Sequence, residues 1–203
     1  MIKAVCFDFG GVYSMHQSKE SSWRDMWQWF QKRIHAKISY NDFIHLQAQL
    51  DTGKINLNQF YERVFLIIGR KYTQMELKKL SRPTVPKIKL NPQIKKIVLR
   101  LKKSNYQVPL ISNNINEVVG TFRRRGYYKI FSPVFISCEV GLGKNDNKLY
   151  KHVIQKLKLK PNECIMIDDN PDFVKQAKGI GMKTILYKNA RQLEIELKNL
   201  HVK

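Results

Sequence analysis

The chain has 203 residues, of which 43% are hydrophobic and 26% are charged. This length and composition allow a buried hydrophobic core, which excludes a disordered protein or a small domain that depends on disulfides or metal ions for stability. Lys and Arg number 37 against 16 Asp and Glu, a formal net charge of +21. This charge predicts attraction to polyanions, although a compositional bias toward Lys, Asn and Ile would explain it without any ligand.

The chain has three cysteines, Cys6, Cys138 and Cys164, and no two of them form the C-x-x-C pair of a zinc finger. Each lies in an apolar run, where a free thiol behaves as a small hydrophobe, as in a reducing compartment. No apolar run approaches the ~18 residues of a membrane helix, and the N-terminus lacks a signal-peptide pattern. The sequence therefore predicts a soluble, cytoplasmic protein with no membrane partner.

The first elements are one strand and then a group of helices. The apolar residues 4–7 stop at Asp8 and are followed by Gly10-Gly11, a pattern typical of a buried strand. Between about residues 19 and 80, apolar residues recur at helical spacing with no strand between them. Four helices are predicted there, with limits suggested by Ser22-x-x-Asp25, Ser39-x-x-Asp42, Leu57 to Gly69 and Thr73 to Leu80.

After a proline-containing connector at residues 82–92, a helix is predicted from Asn91, with Pro92 in its first turn. Strands and helices then alternate. Strands are predicted at residues 108–111, 134–137, 164–167 and 184–186, and helices at 116–125, 147–159, 172–179 and the C-terminal end. This alternation predicts a Rossmann-like α/β domain, a parallel sheet flanked by helices, at residues 1–14 and 85–203. Residues 15–84 are predicted to form a small all-helical cap.

Polar side chains follow several predicted strands, where ligands of open parallel sheets bind. Asp8, Ser112 and the pair Asp168-Asp169 stand at strand ends, and Lys144 lies in a loop after another strand. Three converging carboxylates favour a Mg²⁺ ion, Ser112 and nearby N–H groups can hold phosphate, and Asp8 can attack phosphorus. Each residue alone has an ordinary explanation as a helix cap, a turn or a solvated charge, but the ordered set favours a site.

Four segments in this order resemble the motifs of the haloacid dehalogenase (HAD) superfamily of phosphohydrolases, and the resemblance covers nearly the whole chain. The segments are FDFGGV at residues 7–12, LISNN at 110–114, GKNDNKLY at 143–150 and IMIDDNP at 165–171, with Gly181-Met182 beyond. The set is specific for the superfamily but says little about the substrate. The helical insertion resembles the family's cap, which restricts access to the site.

The resemblance implies a Mg²⁺-dependent phosphatase that acts through an aspartyl-phosphate on a small phosphorylated metabolite. Asp8 would be the nucleophile, and Lys144 would stabilise it and the phosphorylated intermediate. The phosphoryl group would bind to Ser112 and Asn113. The Mg²⁺ ligands would be Asp8, the backbone carbonyl of Gly10, Asp168 and Asp169.

The sequence departs from the family pattern at three positions. Gly10 replaces the second Asp that many relatives use as a general acid and base, a contribution of typically ~10²–10⁴ in rate. This leaves open a slow phosphatase, one that prefers good leaving groups, or a non-catalytic protein. His16 is a candidate substitute acid or, more simply, a surface histidine. Asn145 replaces a proline, which should loosen the Lys144 loop, and Phe173 replaces a polar residue.

The alternative hypothesis is a weakly active or non-catalytic HAD-like protein that binds nucleic acid or another polyanion. Its motivation is the net charge together with Gly10. The basic clusters are Lys95-Lys96, Arg100-x-Lys102-Lys103, Arg123-Arg124-Arg125 and Lys156-x-Lys158-x-Lys160. Each is also explained as a solvated helix face, and no nucleic-acid-binding motif accompanies them. In a combined interpretation, the positive field steers an anionic substrate to a phosphatase.

Overall fold

The computed structural model describes residues 1–15, 23–83, 85, 87–145 and 147–203. Five strands form one parallel sheet in the order β3-β2-β1-β4-β5. They are β1 (Ala4–Phe7), β2 (Leu110–Ser112), β3 (Val134–Ile136), β4 (Cys164–Asp168) and β5 (Lys183–Leu186). The predicted Rossmann-like α/β fold is confirmed.

Ten α-helices are found in the described part of the chain. They are α1 (Trp23–Ile34), α2 (Tyr40–Asp51), α3 (Leu57–Ile67), α4 (Gln74–Leu80), α5 (Pro92–Lys103), α6 (Asn116–Arg124), α7 (Ser137–Val140), α8 (Lys148–Leu157), α9 (Pro171–Gly179) and α10 (Ala190–Asn199). None of these described helices is both long enough and apolar enough to cross a membrane.

The central strands of the sheet are buried on both faces because their side chains alternate between two hydrophobic clusters. Val5 and Phe7 of β1 pack into a cluster with α5, α6 and α10. Ala4 and Cys6 pack into the opposite cluster, with α8 and α9. The helices therefore cover both faces and leave the carboxyl ends of the strands open to a site.

Helices α1–α4 pack around a third hydrophobic cluster of their own, which includes Phe30, Phe43 and Phe65. Ser39 caps α2 as predicted, because its hydroxyl accepts a hydrogen bond from the Asp42 N–H at 3.1 Å. Ser22 lies outside the described residues. The cluster agrees with a helical cap, and its limits at residues 15 and 84 stay a prediction.

Some predicted limits are wrong because contacts from other parts of the chain decide them. β2 begins at Leu110 rather than 108, and Val108 forms an isolated antiparallel bridge with Ser132. Ser137 does not extend β3 but begins α7, where its hydroxyl accepts a hydrogen bond from the Asn114 N–H at 3.0 Å. α8 ends at Leu157 because Lys158 adopts a left-handed conformation with φ 55°.

Candidate active site

The predicted site residues meet at a cavity of about 350 Å³ at the carboxyl ends of β1, β2 and β4. Phe7 pairs with Ile167 in β4, so the next residues, Asp8 just after β1 and Asp168 at the end of β4, lie side by side at this edge of the sheet. The predicted residues that line the cavity are Asp8, Gly10, Ser112, Asn113, Asp168 and Asp169. The structure thus brings these residues together, and their roles stay predictions.

Lys144 forms ion pairs with two of these carboxylates, those of Asp8 and Asp168. Its Nζ lies 2.5 Å from Asp8 Oδ1 and 2.6 Å from Asp168 Oδ2, and its side chain is only 1% exposed. Burial alone would lower the pKa of Lys144, but attraction to Asp168 and Asp8 outweighs burial and raises it. Lys144 therefore stays protonated and compensates part of the negative charge.

The loop that carries Lys144 is held by Asn113. The Asn113 Oδ1 accepts a hydrogen bond from the Lys144 N–H at 3.1 Å, and its Nδ2 donates to Asn145 Oδ1, also at 3.1 Å. The substitution of proline by Asn145 was expected to loosen this loop. In the structure the Asn145 side chain instead provides a hydrogen bond that a proline lacks, and this bond opposes the loosening.

Three carboxylates form a cluster suited to a divalent cation. Asp8, Asp168 and Asp169 each offer one oxygen, and these three oxygens lie within 4.8 Å of one another. Burial raises the pKa of Asp8 to about 7. The Lys144 charge lowers this pKa, but repulsion from Asp168 and Asp169 opposes the lowering. Burial, with repulsion from Asp168, raises the pKa of Asp169 to about 6. Oxygen ligands with excess negative charge fit Mg²⁺.

Gly11 is a residue of the site that the sequence reasoning did not single out. Its φ is +64°, and a Cβ built on it would lie 1.8 Å from Asp169 Oδ2. The absence of a side chain thus lets the Asp169 carboxylate approach the backbone after β1. The available signal is the Gly10-Gly11 pair after the first strand, in which the sequence analysis assigns a role in the site to Gly10 alone.

The helical segment also contributes to the cavity, a contribution that the sequence did not assign to particular residues. Met26 of α1 and Gln47 and Asp51 of α2 line it.

Phe173 of α9, which replaces a polar residue of the family pattern, covers Lys144. The centroid of its ring lies 4.8 Å from Lys144 Nζ, a cation–π contact. His16, the candidate substitute acid, lies outside the described residues.

Several known proteins resemble this chain. Glyceraldehyde 3-phosphate phosphatase from Pyrococcus furiosus is 32% identical over 108 residues, which are 52% of this chain and 45% of that protein. Bifunctional epoxide hydrolase 2 from Sus scrofa is 30% identical over 115 residues, 52% of this chain and 21% of that protein. The chain thus spans less than half the length of either relative.

A HAD family enzyme from Bacteroides thetaiotaomicron, solved in complex with magnesium and inorganic phosphate, has the same fold. Its TM-score is 0.62 at 17% identity, and the alignment covers 93% of this chain and 95% of that one. Residues 2–181 match the family of haloacid dehalogenase-like hydrolases. This matched range includes all four motif segments. The chain therefore belongs to the haloacid dehalogenase-like hydrolase family.

Proposed function

We propose that the protein is a Mg²⁺-dependent phosphomonoester hydrolase that acts through an aspartyl-phosphate on Asp8. The observation that carries the proposal is the buried Lys144, which bridges Asp8 and Asp168 beside an open cavity. The name of the Pyrococcus furiosus relative and the magnesium and phosphate bound in the Bacteroides thetaiotaomicron enzyme support the same chemistry.

The metal site would use the residues already grouped at the strand ends. Asp8, Asp168 and Asp169 would supply carboxylate oxygens, and Gly10 would supply its backbone carbonyl. When bound, Mg²⁺ would neutralise charge on the transferring phosphoryl group and orient it for attack. Burial and mutual repulsion raise the pKa values of Asp8 and Asp169, and a bound cation would favour the ionised forms of both carboxyl groups.

Asp8 would act in two steps. An Asp8 carboxylate oxygen attacks phosphorus, the P–O bond of the ester breaks, and the alcohol leaves with a proton. A water molecule then attacks the same phosphorus, the bond to Asp8 breaks, and inorganic phosphate is released. Lys144 holds Asp8 in position and favours its ionised form, which is the nucleophile.

The phosphoryl group would be held by the hydroxyl of Ser112, a residue that lies at the end of β2 and is 3% exposed. The side chain of Asn113 is committed elsewhere, because it holds Lys144, Asn145 and Asp51. We therefore expect Asn113 to contribute its backbone N–H rather than its amide group. A cavity of about 350 Å³ suits a small phosphorylated metabolite.

The test is hydrolysis of p-nitrophenyl phosphate with and without Mg²⁺, in wild type, Asp8→Asn and the control Asp172→Asn. Asp172 is an exposed carboxylate near the site, so its variant should keep wild-type turnover. We expect turnover to need both Mg²⁺ and Asp8. Equal rates in wild type and Asp8→Asn would refute the aspartyl-phosphate mechanism.

The alternative, a polyanion-binding protein with little or no activity, still has its motivation in the net charge of +21. Two arginines of the basic clusters form ion pairs with acidic residues of the same chain, Arg100 with Glu194 and Arg123 with Glu139. These pairs reduce the positive charge that the surface offers to a polyanion. A folded, Mg²⁺-binding wild type without turnover would favour this alternative. A steep loss of nucleic-acid affinity with salt would then be expected.

A further inference from the structure

Hydrolysis of an alkyl phosphate depends on a proton at the leaving oxygen. An alkoxide is a poor leaving group, so a positioned acid typically accelerates its departure by ~10²–10⁴. Gly10 supplies no side chain next to Asp8. Among the described residues that line the cavity, the titratable ones are Asp8, Asp168, Asp169 and Asp51. The first three form the metal cluster, and this leaves Asp51.

We propose that Asp51, which reaches the cavity from helix α2, is the general acid that protonates the leaving oxygen. The inference rests on the proposed phosphatase function. In the first step the Asp51 O–H would give its proton to the ester oxygen as the P–O bond breaks, which releases a neutral alcohol. In the second step the Asp51 carboxylate would take a proton from the water that attacks phosphorus, which restores the acid.

Two hydrogen bonds hold the Asp51 carboxyl group beside the proposed phosphate-binding residues Ser112 and Asn113. Its Oδ1 accepts from Gln47 Nε2 at 2.8 Å, one helical turn earlier in α2. Its Oδ2 accepts from Asn113 Nδ2 at 3.1 Å. Asn113 directly follows Ser112, the proposed phosphoryl ligand. The carboxyl group is therefore tied to the residue next to the expected position of the substrate phosphate.

The position of Asp51 is an unfavourable one for a carboxylate that has only a structural role. It is the last residue of α2, where the partial negative charge of the helix end opposes an anion. It is 6% exposed and forms no ion pair within the described ranges. A buried carboxylate without an ion-pair partner is costly, and such groups cluster at functional sites.

The environment of Asp51 also suits proton transfer. Burial raises its pKa to about 6, against the lowering effects of the hydrogen bonds from Gln47 and Asn113 and of the Lys144 charge. A group that titrates near neutral pH can both donate and accept a proton during one catalytic cycle. The raised pKa thus supports a role that the geometry already indicates.

The loop after α2 holds Asp51 against the core. Gly53 has φ +69°, and a Cβ built on it would lie 2.9 Å from the Cys138 carbonyl oxygen and 3.0 Å from Asn116 Nδ2. A few residues later, the Leu57 N–H donates to Glu117 Oε1 at 2.8 Å. These contacts dock the end of α2 on α6 and α7, so the carboxyl group is fixed relative to the sheet.

The experiment measures kcat/KM for a series of phosphate monoesters whose leaving groups range from p-nitrophenol to simple alcohols. The parameter kcat/KM reports phosphoryl transfer to Asp8 without the later hydrolysis step. In Asp51→Asn we expect kcat/KM to fall ~10²–10⁴-fold for alkyl phosphates and less than about threefold for p-nitrophenyl phosphate, which needs no acid. Asp51→Glu should recover part of the alkyl phosphate activity.

The aryl substrate also reports that the Asp51→Asn variant is folded. The control is Glu62→Gln, a carboxyl group of α3 that does not line this cavity, and it should leave both substrate classes unchanged. Equal losses for aryl and alkyl phosphates, or no loss, would overturn the proposal, as would a leaving-group effect in His16→Asn but not in Asp51→Asn. A wild type inactive on p-nitrophenyl phosphate would instead refute the phosphatase function itself.

Discussion

Replacement of Lys144 by methionine tests how the carboxylate cluster is held together. Lys144 makes ion pairs of 2.5 Å and 2.6 Å with Asp8 and Asp168, and all three side chains are almost fully buried. Methionine keeps much of the apolar stem of the lysine but removes the charge. The variant therefore isolates the electrostatic contribution of the lysine from its packing.

The expected cost follows from burial. Removing one partner of a buried ion pair typically destabilises a protein by about 3–5 kcal/mol, because the remaining charge stays buried without compensation. The cost should depend on pH. Burial already raises the pKa of Asp8 to about 7, so Asp8 is ionised above that value and protonated below it. A protonated Asp8 needs no cation, so Lys144→Met should lose most stability at pH 8 and less at pH 5.5.

The assay is urea denaturation at both pH values, with and without Mg²⁺, of wild type, Lys144→Met and the control Lys151→Met. Lys151 is an exposed lysine of α8, and its variant should differ from wild type by less than about 0.5 kcal/mol. Saturating Mg²⁺ should recover part of the loss at pH 8, because the ion supplies positive charge to the same carboxylates. An equal loss of stability at both pH values, unaffected by Mg²⁺, would refute this reasoning.

Two further predictions concern the proposed metal ligands. Gly11→Ala should weaken Mg²⁺ binding at least tenfold by calorimetry, because the added Cβ would displace the Asp169 carboxylate. The control is Gly179→Ala, whose added Cβ has no atom within 4 Å, and it should bind Mg²⁺ with wild-type affinity. Equal affinities in the two variants would contradict the assignment of Asp169 as a metal ligand. Mg²⁺ affinity should fall as the pH drops from 8 to 5.5, because protons compete for carboxylates whose pKa values are about 7 at Asp8 and about 6 at Asp169. An affinity that does not change over this range would place the ion elsewhere.

The elements of the core were predictable because their signals are local. Each strand is a short apolar run that ends in polar or turn-forming residues, and the longer helices have their own apolar periodicity and, in several cases, their own cap. The four-residue helix α7 has no such pattern and was not predicted. The convergence of Asp8, Ser112 and Asp168 was predictable for a related reason. In a parallel sheet the carboxyl ends of all strands lie on one edge, so polar residues at these ends meet there.

The details of the site depend on contacts between distant parts of the chain. Lys144 is 136 residues from Asp8, and although the GKNDNKLY segment identifies this lysine, its burial between two carboxylates depends on how the whole chain folds. Phe173 was interpreted as a departure from the motif, whereas in the structure its ring lies over this lysine. The ends of β2 and β3 were misplaced for the same reason, since residues far along the chain decide where their pairing begins and stops.

The sequence by itself determined the α/β core, the helical segment and the edge of the sheet where the candidate site residues lie. The reason is that hydrophobic periodicity and the polar residues at strand ends are properties of short segments. Only the tertiary structure decided that Asp51 faces that edge. An aspartate at the end of a helix looks like any solvated residue until the helix is docked, and its partner Asn113 is 62 residues away. Docking depends on the shape and packing of the whole helical segment, which no local pattern encodes.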